Sequence, residues 1–298
     1  MGKFRNFLKR KDIVFSGKRY GIDALGAMAQ GLFCTLLVGT ILNTIGQQFG
    51  IAFLNDILVT VGKGEGAVGY TLGGLASAMV GPGIAVAIGS ALHAPGLVLF
   101  SLIPVGFAAN AMGGAGGPLS VYFVAIIACE LGKMVSKETR IDILVTPIVT
   151  ILVGVGLAAL IAKPIGDAAL AFGSFIKQAT ELQPLLMGIV VSVTVGIALT
   201  LPISSAAICA ALGLTGLAGG AAVAGCCAQM VGFAVMNYRE NKVGGLIAQG
   251  IGTSMLQMPN IVRRPLIWLP AIISSAILGP ISSAVLGMTS NATGSGMG

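Results

Sequence analysis

Apolar residues run in long blocks, and polar positions gather at their ends. Leu25 to Ile45 forms the first block. Ile141 to Ala162 forms another, about 22 residues, or roughly 33 Å of helix at 1.5 Å per residue. That exceeds the roughly 30 Å apolar layer of a bilayer, so both blocks predict membrane-spanning helices. Leu185–Leu201 and Leu266–Leu286 predict two more. The stretch after Gly69 is apolar for too long to be one crossing, and Pro82, Pro95 and Pro104 punctuate it. It predicts spans near 67–90 and 95–112. A shorter run, "VYFVAIIAC", ends at Glu130.

Four stretches break this rhythm. Gly46 to Gly66 is too polar for a clean span and reads as a tilted or interfacial helix and a turn. Residues 163–182, with Lys163, Asp167, Lys177 and Glu181, read as an amphipathic linker or horizontal helix. The run from Pro202 to Lys242 is divided at Gly213–Gly220, and Val243–Met258 is short and ends at Pro259-Asn260. The pattern predicts an all-α polytopic membrane protein, a transporter-like bundle of about 8–10 transmembrane segments or half-segments. "PISSA" occurs at Pro202 and again at Pro280, a weak internal echo.

Composition sharpens this reading. Of 298 residues, 55% are hydrophobic and 9% charged, with mean hydropathy +0.96. Soluble domains carry about 25% charged residues, so this chain cannot cover a water-facing surface. The 45 glycines and 12 prolines lie among Ala, Leu, Ile and Val. There they favour close helix packing and broken or re-entrant helices.

Charge is uneven. Lys3, Arg5, Lys9, Arg10, Lys11, Lys18 and Arg19 face only Asp12 and Asp23 in the first 23 residues. The positive-inside rule predicts a cytoplasmic N-terminus. Phe4, Phe7 and Leu8 share one helical side, which suits an amphipathic segment on the inner leaflet. Membrane lipids are therefore expected partners, and nucleic acid is not. The cysteines (Cys34, Cys129, Cys209, Cys226, Cys227) form no CxxC pair, so neither a disulfide framework nor a metal site is expected. The expected organisation is a basic N-terminus (1–23), one membrane-embedded domain (24–288) and a flexible tail (289–298).

Candidate solute ligands are polar groups stranded among apolar ones. Glu130 ends an apolar run. A carboxylate there needs a polar cavity or a cation, and it reads either as an acceptor of solute hydroxyls or as an interfacial Glu beside Lys133. Asn110 precedes "GGAGG", where missing side chains let a solute approach, or else it ends a helix. His93 is either a hydroxyl ligand or a loop residue at the membrane edge. Gln249 and Gln257 interrupt glycine-rich apolar runs, and Gln257 and Asn260 flank Pro259. Arg263 and Arg264 stand between Pro259 and Pro265 beside Trp268. Arg264 reads as part of an interfacial belt and Arg263 as a ligand candidate. "MNYREN" at Met236 reads as a cytoplasmic loop. No catalytic residue, metal or cofactor is expected in this chain.

Three blocks, "GKRYGIDALGAMAQGLFCTLLVGTILNTIG" from Gly17, "GGAGGPLSVYFVAIIACELGKMVSKETRIDILVTP" from Gly113 and "LQMPNIVRRPLIWLPAIISSAILGP" from Leu256, carry a resemblance. The chain resembles the membrane IIC-type subunits of the bacterial sugar phosphotransferase system, in the branch containing the PfoR toxin regulators. The resemblance implies a bacterial inner-membrane protein, usually a homodimer, that moves a sugar or related hydroxylated compound by alternating access. It also implies a IIB phosphocarrier, expected here as a separate protein. The alternative is a membrane sensor that binds a ligand without sustained transport.

Overall fold

The computed structural model describes residues 2–63, 66–292 and 294–297, with the side chains of residues 2–4 left aside. Phe4, expected on the apolar side of the first helix, therefore lies outside the described side chains. Helix α1 is Gly2–Arg10. Helix α2, Arg19–Phe49, is interrupted by two π turns and closes at Gly50 with φ +63°. It overruns the expected span at both ends.

The polar stretch that follows is not a tilted helix. After one turn at Ala52–Asn55 it forms an antiparallel hairpin of β1 (Val59–Val61) and β2 (Val68–Tyr70). Val59, Thr60 and Val61 form a short β-branched run, a local preference for strand.

Helices α3 (Leu72–Ala78) and α4 (Val80–Ala91) meet at a 53° bend. The break falls at Met79 rather than at Pro82, which lies in the first turn of α4 where its missing N–H is harmless. Helices α5 (Gly96–Gly113) and α6 (Gly117–Val135) are continuous in composition, yet they form a hairpin. Gly114 at φ +50° makes the turn. Val98 near the start of α5 lies against Gly132 near the end of α6. Pro104 does not break α5.

Helix α7 runs unbroken from Asp142 to Ala179 through Pro147 and Pro164. At 1.5 Å per residue it is about 57 Å long, so the expected horizontal linker at 163–182 is a continuation of the span. Thr146, Thr150, Gly154, Ala158, Ala162 and Gly166 recur every fourth residue on its buried face. This stripe lets the α5–α6 hairpin lie close along the helix, with Val105 against Gly154 and the Gly113 carbonyl against Gly166.

The second half contains α8 (Pro184–Thr200), the short α9 (Ser205–Leu212), α10 (Gly216–Ile247), α11 (Met258–Arg263) and α12 (Leu269–Pro280). Helix α10 is broken at Lys242 (φ 50°, ψ −140°), so the segment to Gly252 folds back. Helices α8, α10 and α12 approach through small residues, Gly188 on Gly279 and Gly225 on Ser192. The two "PISSA" copies differ: the first opens α9, with Ser204 as N-cap, and the second closes the last span in a π turn.

Among the described residues, five helical stretches are long and apolar enough to cross a membrane, or six if the bent α3–α4 pair is one span. The eight to ten segments expected count the pieces separately, since Gly96–Val135 is a hairpin and Gly216–Gly252 doubles back. The tail expected to be flexible packs into the bundle: Ser295 Oγ donates to Leu214 O at 2.7 Å, and Ser205 Oγ donates to Gly296 O at 2.7 Å. Thr293 and Gly298 of that tail lie outside the described residues.

A Cβ at Gly225 would stand 2.0 Å from the Ser192 carbonyl oxygen, whereas one at Gly156 would meet nothing within 4 Å. Gly225→Ala is expected to destabilise by about 1–3 kcal/mol through overpacking. Gly156→Ala should be neutral or stabilising, by up to about 1 kcal/mol of helix propensity. Unfolding of the two variants in detergent checks this; equal midpoints would refute the close contact.

Candidate functional site

The candidate residues separate into distinct groups. Glu130 and His93 belong to a polar cluster where the N-terminal lead crosses the ends of α4 and α6. Lys133 is 1% exposed, and its ammonium donates to Asp12 O at 2.7 Å and Leu92 O at 2.9 Å. It also lies 3.1 Å from Glu130 Oε2. Tyr20 donates to Glu130 Oε1 at 3.0 Å, and Tyr122 donates to Tyr20 O at 2.7 Å. Arg19 pairs with Asp12 and donates to Leu92 O, both at 2.7 Å, and His93 Nδ1 lies 2.9 Å from Asp12 Oδ2.

Two cations thus cap the last carbonyl of α4, a favourable use of the helix dipole. Nearby, Arg10 and Lys11 pair with Glu138, and Lys11 donates to Ser136 O. Arg19, helped by His93, holds the Asp12 carboxyl well below the usual carboxylate range. Glu130, read from sequence as a solute ligand or a partner of Lys133, takes the second position. It lines neither of the two cavities described below.

Asn110 is wedged between two backbones. Its side chain fills the space a Cβ would need at Gly81 and at Gly117. Gln249 is 4% exposed in the π turn Ala248–Gly252, and its Oε1 has no partner among the described residues.

The remaining candidates converge. Gln257, Asn260 and Arg263 line one cavity of about 530 Å³, together with Asn237, Glu240, Arg264, Phe233, Met236 and Ile267. Asn260 Nδ2 donates to Gln257 Oε1 at 2.8 Å, and Asn241 Nδ2 donates to Asn237 Oδ1 at 2.7 Å. The Lys242 break brings Gly245 against Asn237. Asn237 and Glu240 sit in the stretch read as a cytoplasmic loop. Their signal was present as two polar residues three positions apart, hence on one helical face.

A second cavity of about 400 Å³ lies against Met230 of α10 and is mainly apolar. Three chain breaks reach it, through Pro118 after the α5–α6 turn, Ile203–Ala206 between α8 and α9, and Gly252–Thr253. Met230 and Met255 line this crevice, while Phe233 and Gln257 line the polar cavity. The segment Thr253–Gln257 and one turn of α10 thus form the partition between them. Beside it, Gln229 Oε1 accepts from Trp268 Nε1 at 3.0 Å, and Thr200 meets Ser254 at 2.8 Å. Trp268, read as part of an interfacial belt, is thereby tied to a fully buried amide.

A polar cavity and a mainly apolar crevice reached by three chain breaks thus lie on either side of one short segment of the bundle. The family described as "Phosphotransferase system, EIIC" matches residues 22–298. The chain belongs to the phosphotransferase-system EIIC family. No curated protein and no solved structure matches it. As an EIIC domain the chain is a multi-pass permease, a transport subunit consistent with passage of a small polar solute. Its breaks and cavities are what such an EIIC permease needs, since irregular backbone is tolerated at membrane depth only where protein or a cavity shelters it.

Removing one partner of a buried pair typically costs about 3–5 kcal/mol. Lys133→Met is therefore expected to destabilise the protein more than the double variant Glu130→Gln/Lys133→Met, as read by thermal unfolding in detergent. Additive losses would contradict the pairing.

Asp12 adds a pH dependence. Its folded value is depressed, so its stabilisation is present above the ordinary carboxylate value of about 4 and is lost as pH falls below it. Between about pH 5 and 3, the unfolding midpoint of the wild type should fall more steeply than that of Asp12→Asn. Parallel slopes would exclude the Asp12–Arg19 anchor.

Proposed function

We propose that this EIIC domain carries a sugar or related hydroxylated compound and that the polar cavity receives it. The observation that carries this reading is the set of amides, Asn237, Gln257 and Asn260, with the Glu240 carboxylate, around one cavity. Amides donate and accept, and a carboxylate accepts, which matches the mixed hydrogen bonding of hydroxyl groups. Alternating access follows from the partition: opening Thr253–Gln257 would join the cavity to the crevice, while closing the outer mouth would isolate the solute.

Charge supports an orientation. Arg10, Lys11, Arg19 and Lys133 meet at one end of the bundle. The first turns of α2 pack on α11, which brings Arg263 and Arg264 to the same end. By the positive-inside rule this end is cytoplasmic, and the polar cavity then opens inward. The resemblance to IIC subunits supports a bacterial inner-membrane homodimer served by a separate IIB phosphocarrier. Its PfoR-containing branch keeps ligand sensing as the reading that flux measurements would separate.

The test is counterflow in vesicles carrying the purified chain, over a panel of labelled hexoses, hexitols and pentitols. One solute should exchange, and Gln257→Leu should lower its flux at least about tenfold, the scale of one lost buried hydrogen-bonding group. Saturable binding without exchange would replace transport by sensing, and undiminished flux in Gln257→Leu would move the site elsewhere.

A further inference from the structure

The basic residues at this end are not equivalent. Arg10 and Lys11 share Glu138, Arg19 has Asp12, and Lys133 has Glu130. Arg263 and Arg264 have no carboxylate within 4.0 Å among the described residues, although both line the polar cavity. Arg263 ends α11, and Arg264 leaves it with φ −143° and ψ 84°. Pro265 follows directly, so the chain direction changes at the pair.

Their one acidic neighbour in the lining, Glu240, also has no cation within 4.0 Å. Two guanidiniums against one carboxylate leave the lining with a formal charge of +1. The buried part is neutral, since Asn237 is 9% and Gln257 7% exposed while both arginines are exposed. The cavity is therefore graded, with the two guanidiniums, Glu240 and Asn260 at its open side and the amides of Asn237 and Gln257 within.

We propose that Arg263 and Arg264 receive an anionic group, a carboxylate or phosphate, borne on the hydroxylated molecule whose hydroxyls reach the amides. This rests on reading the cavity as a solute site. Guanidinium presents a planar fork of donors that matches carboxylate or phosphate oxygens in pairs. An unpaired guanidinium at a cavity mouth keeps those donors available, and the charge gradient orients the ligand with its anionic end outward. The same chemistry belongs to two sources: a soluble hydroxy acid or sugar phosphate, and the headgroup of an anionic glycerophospholipid.

The experiment uses the full chain purified in detergent at fixed ionic strength. Binding of gluconate is compared with mannitol, a neutral polyol of the same carbon number, and with inorganic phosphate as competitor. Gluconate should bind at least about tenfold tighter than mannitol, the scale of one charge-assisted bidentate contact. Phosphate should compete, and the double variant Arg263→Gln/Arg264→Gln should erase the difference between gluconate and mannitol. Arg263→Lys/Arg264→Lys, which retains charge without the fork, should fall between.

Reconstitution into nanodiscs of phosphatidylglycerol or phosphatidylcholine separates the sources. Arginine-dependent stabilisation by phosphatidylglycerol, without gluconate or phosphate binding, assigns the anionic group to a lipid and upholds the arginine chemistry. Equal binding of gluconate and mannitol, unaffected by phosphate or by either arginine variant, with no lipid preference, overturns the inference and leaves the cavity a neutral polyol site. If neither polyol binds and Gln257→Leu changes nothing, the solute-site reading itself falls, and this inference falls with it. Loss of a monodisperse fold in the double variant is bypassed by phenylglyoxal modification of the wild type. Protection by gluconate or phosphate but not mannitol supports the proposal, and equal modification in all three counts against it.

Discussion

A peptide group left without a hydrogen-bond partner in hydrocarbon costs several kcal/mol, and this constraint governs where the chain is able to leave its helices. Three interior breaks are closed by hydrogen-bond partners. Between α5 and α6, Ser120 donates to Gly116 O, and Ala115 O accepts from the backbone of Ser204. At the start of α9, Ser204 accepts from Ala207 N. After the π turn, Thr253 accepts from Met255 N and its own N–H reaches Ala248 O. Two of these breaks satisfy one another, the α5–α6 turn and the α8–α9 turn. The crevice forms where backbone has been freed and then partly re-paired.

Charge obeys a related constraint. A buried ammonium is tolerated only when fully partnered, and Lys133 has two carbonyls and a carboxylate. Its partners come from the N-terminal lead, the end of α4 and its own helix. One side chain thereby joins three segments far apart in sequence, and Arg19 repeats the link to α4. The bent α3–α4 pair is thus pinned at its C-terminal end, while at its other end Thr71 caps α3 and donates to Asn43 of α2.

The class of fold was legible because lipid forces it: long apolar blocks have no other use in a chain with so few charges. Individual breaks were less legible, because proline and glycine mark where a helix is able to end and tertiary partners decide whether it does. Pro104, Pro147 and Pro164 are absorbed into helices. Gly113–Gly117 does break, because two backbones meet there. The site was legible in part. Gln257, Asn260 and Arg263 share a cavity because they lie within two turns of one segment. Asn237 and Glu240 arrive from α10, and only the Lys242 break brings that helix end to them. Glu130 was the most conspicuous polar residue in the sequence, and its neighbour three positions on had already supplied its partner. Ionic pairing at helical spacing is local, whereas convergence of neutral amides from two elements is not.

The packing indicates which parts are able to move. One apolar core joins α2, α4, α5 and α6 with Met255, Met258, Ile261, Phe233 of α10 and Ala271 of α12, and a second joins α8, α9 and the first half of α10 with the far end of α7. Helix α7 serves both, through Ala158 in the first and Ala169, Ile176 and Ala179 in the second. Within the second block, glycines hold α8, α10 and α12 at backbone contact, where close packing permits little internal adjustment. The crevice draws its walls from both sides: Leu32, Leu36 and Thr40 of α2 face Leu199, Ile203 and Met230 of the second half. A boundary that already contains a cavity has less contact to lose on opening than either core. The partition Thr253–Gln257 sits on that boundary, with Met255 in the first core and Ser254 bonded to Thr200 of α8.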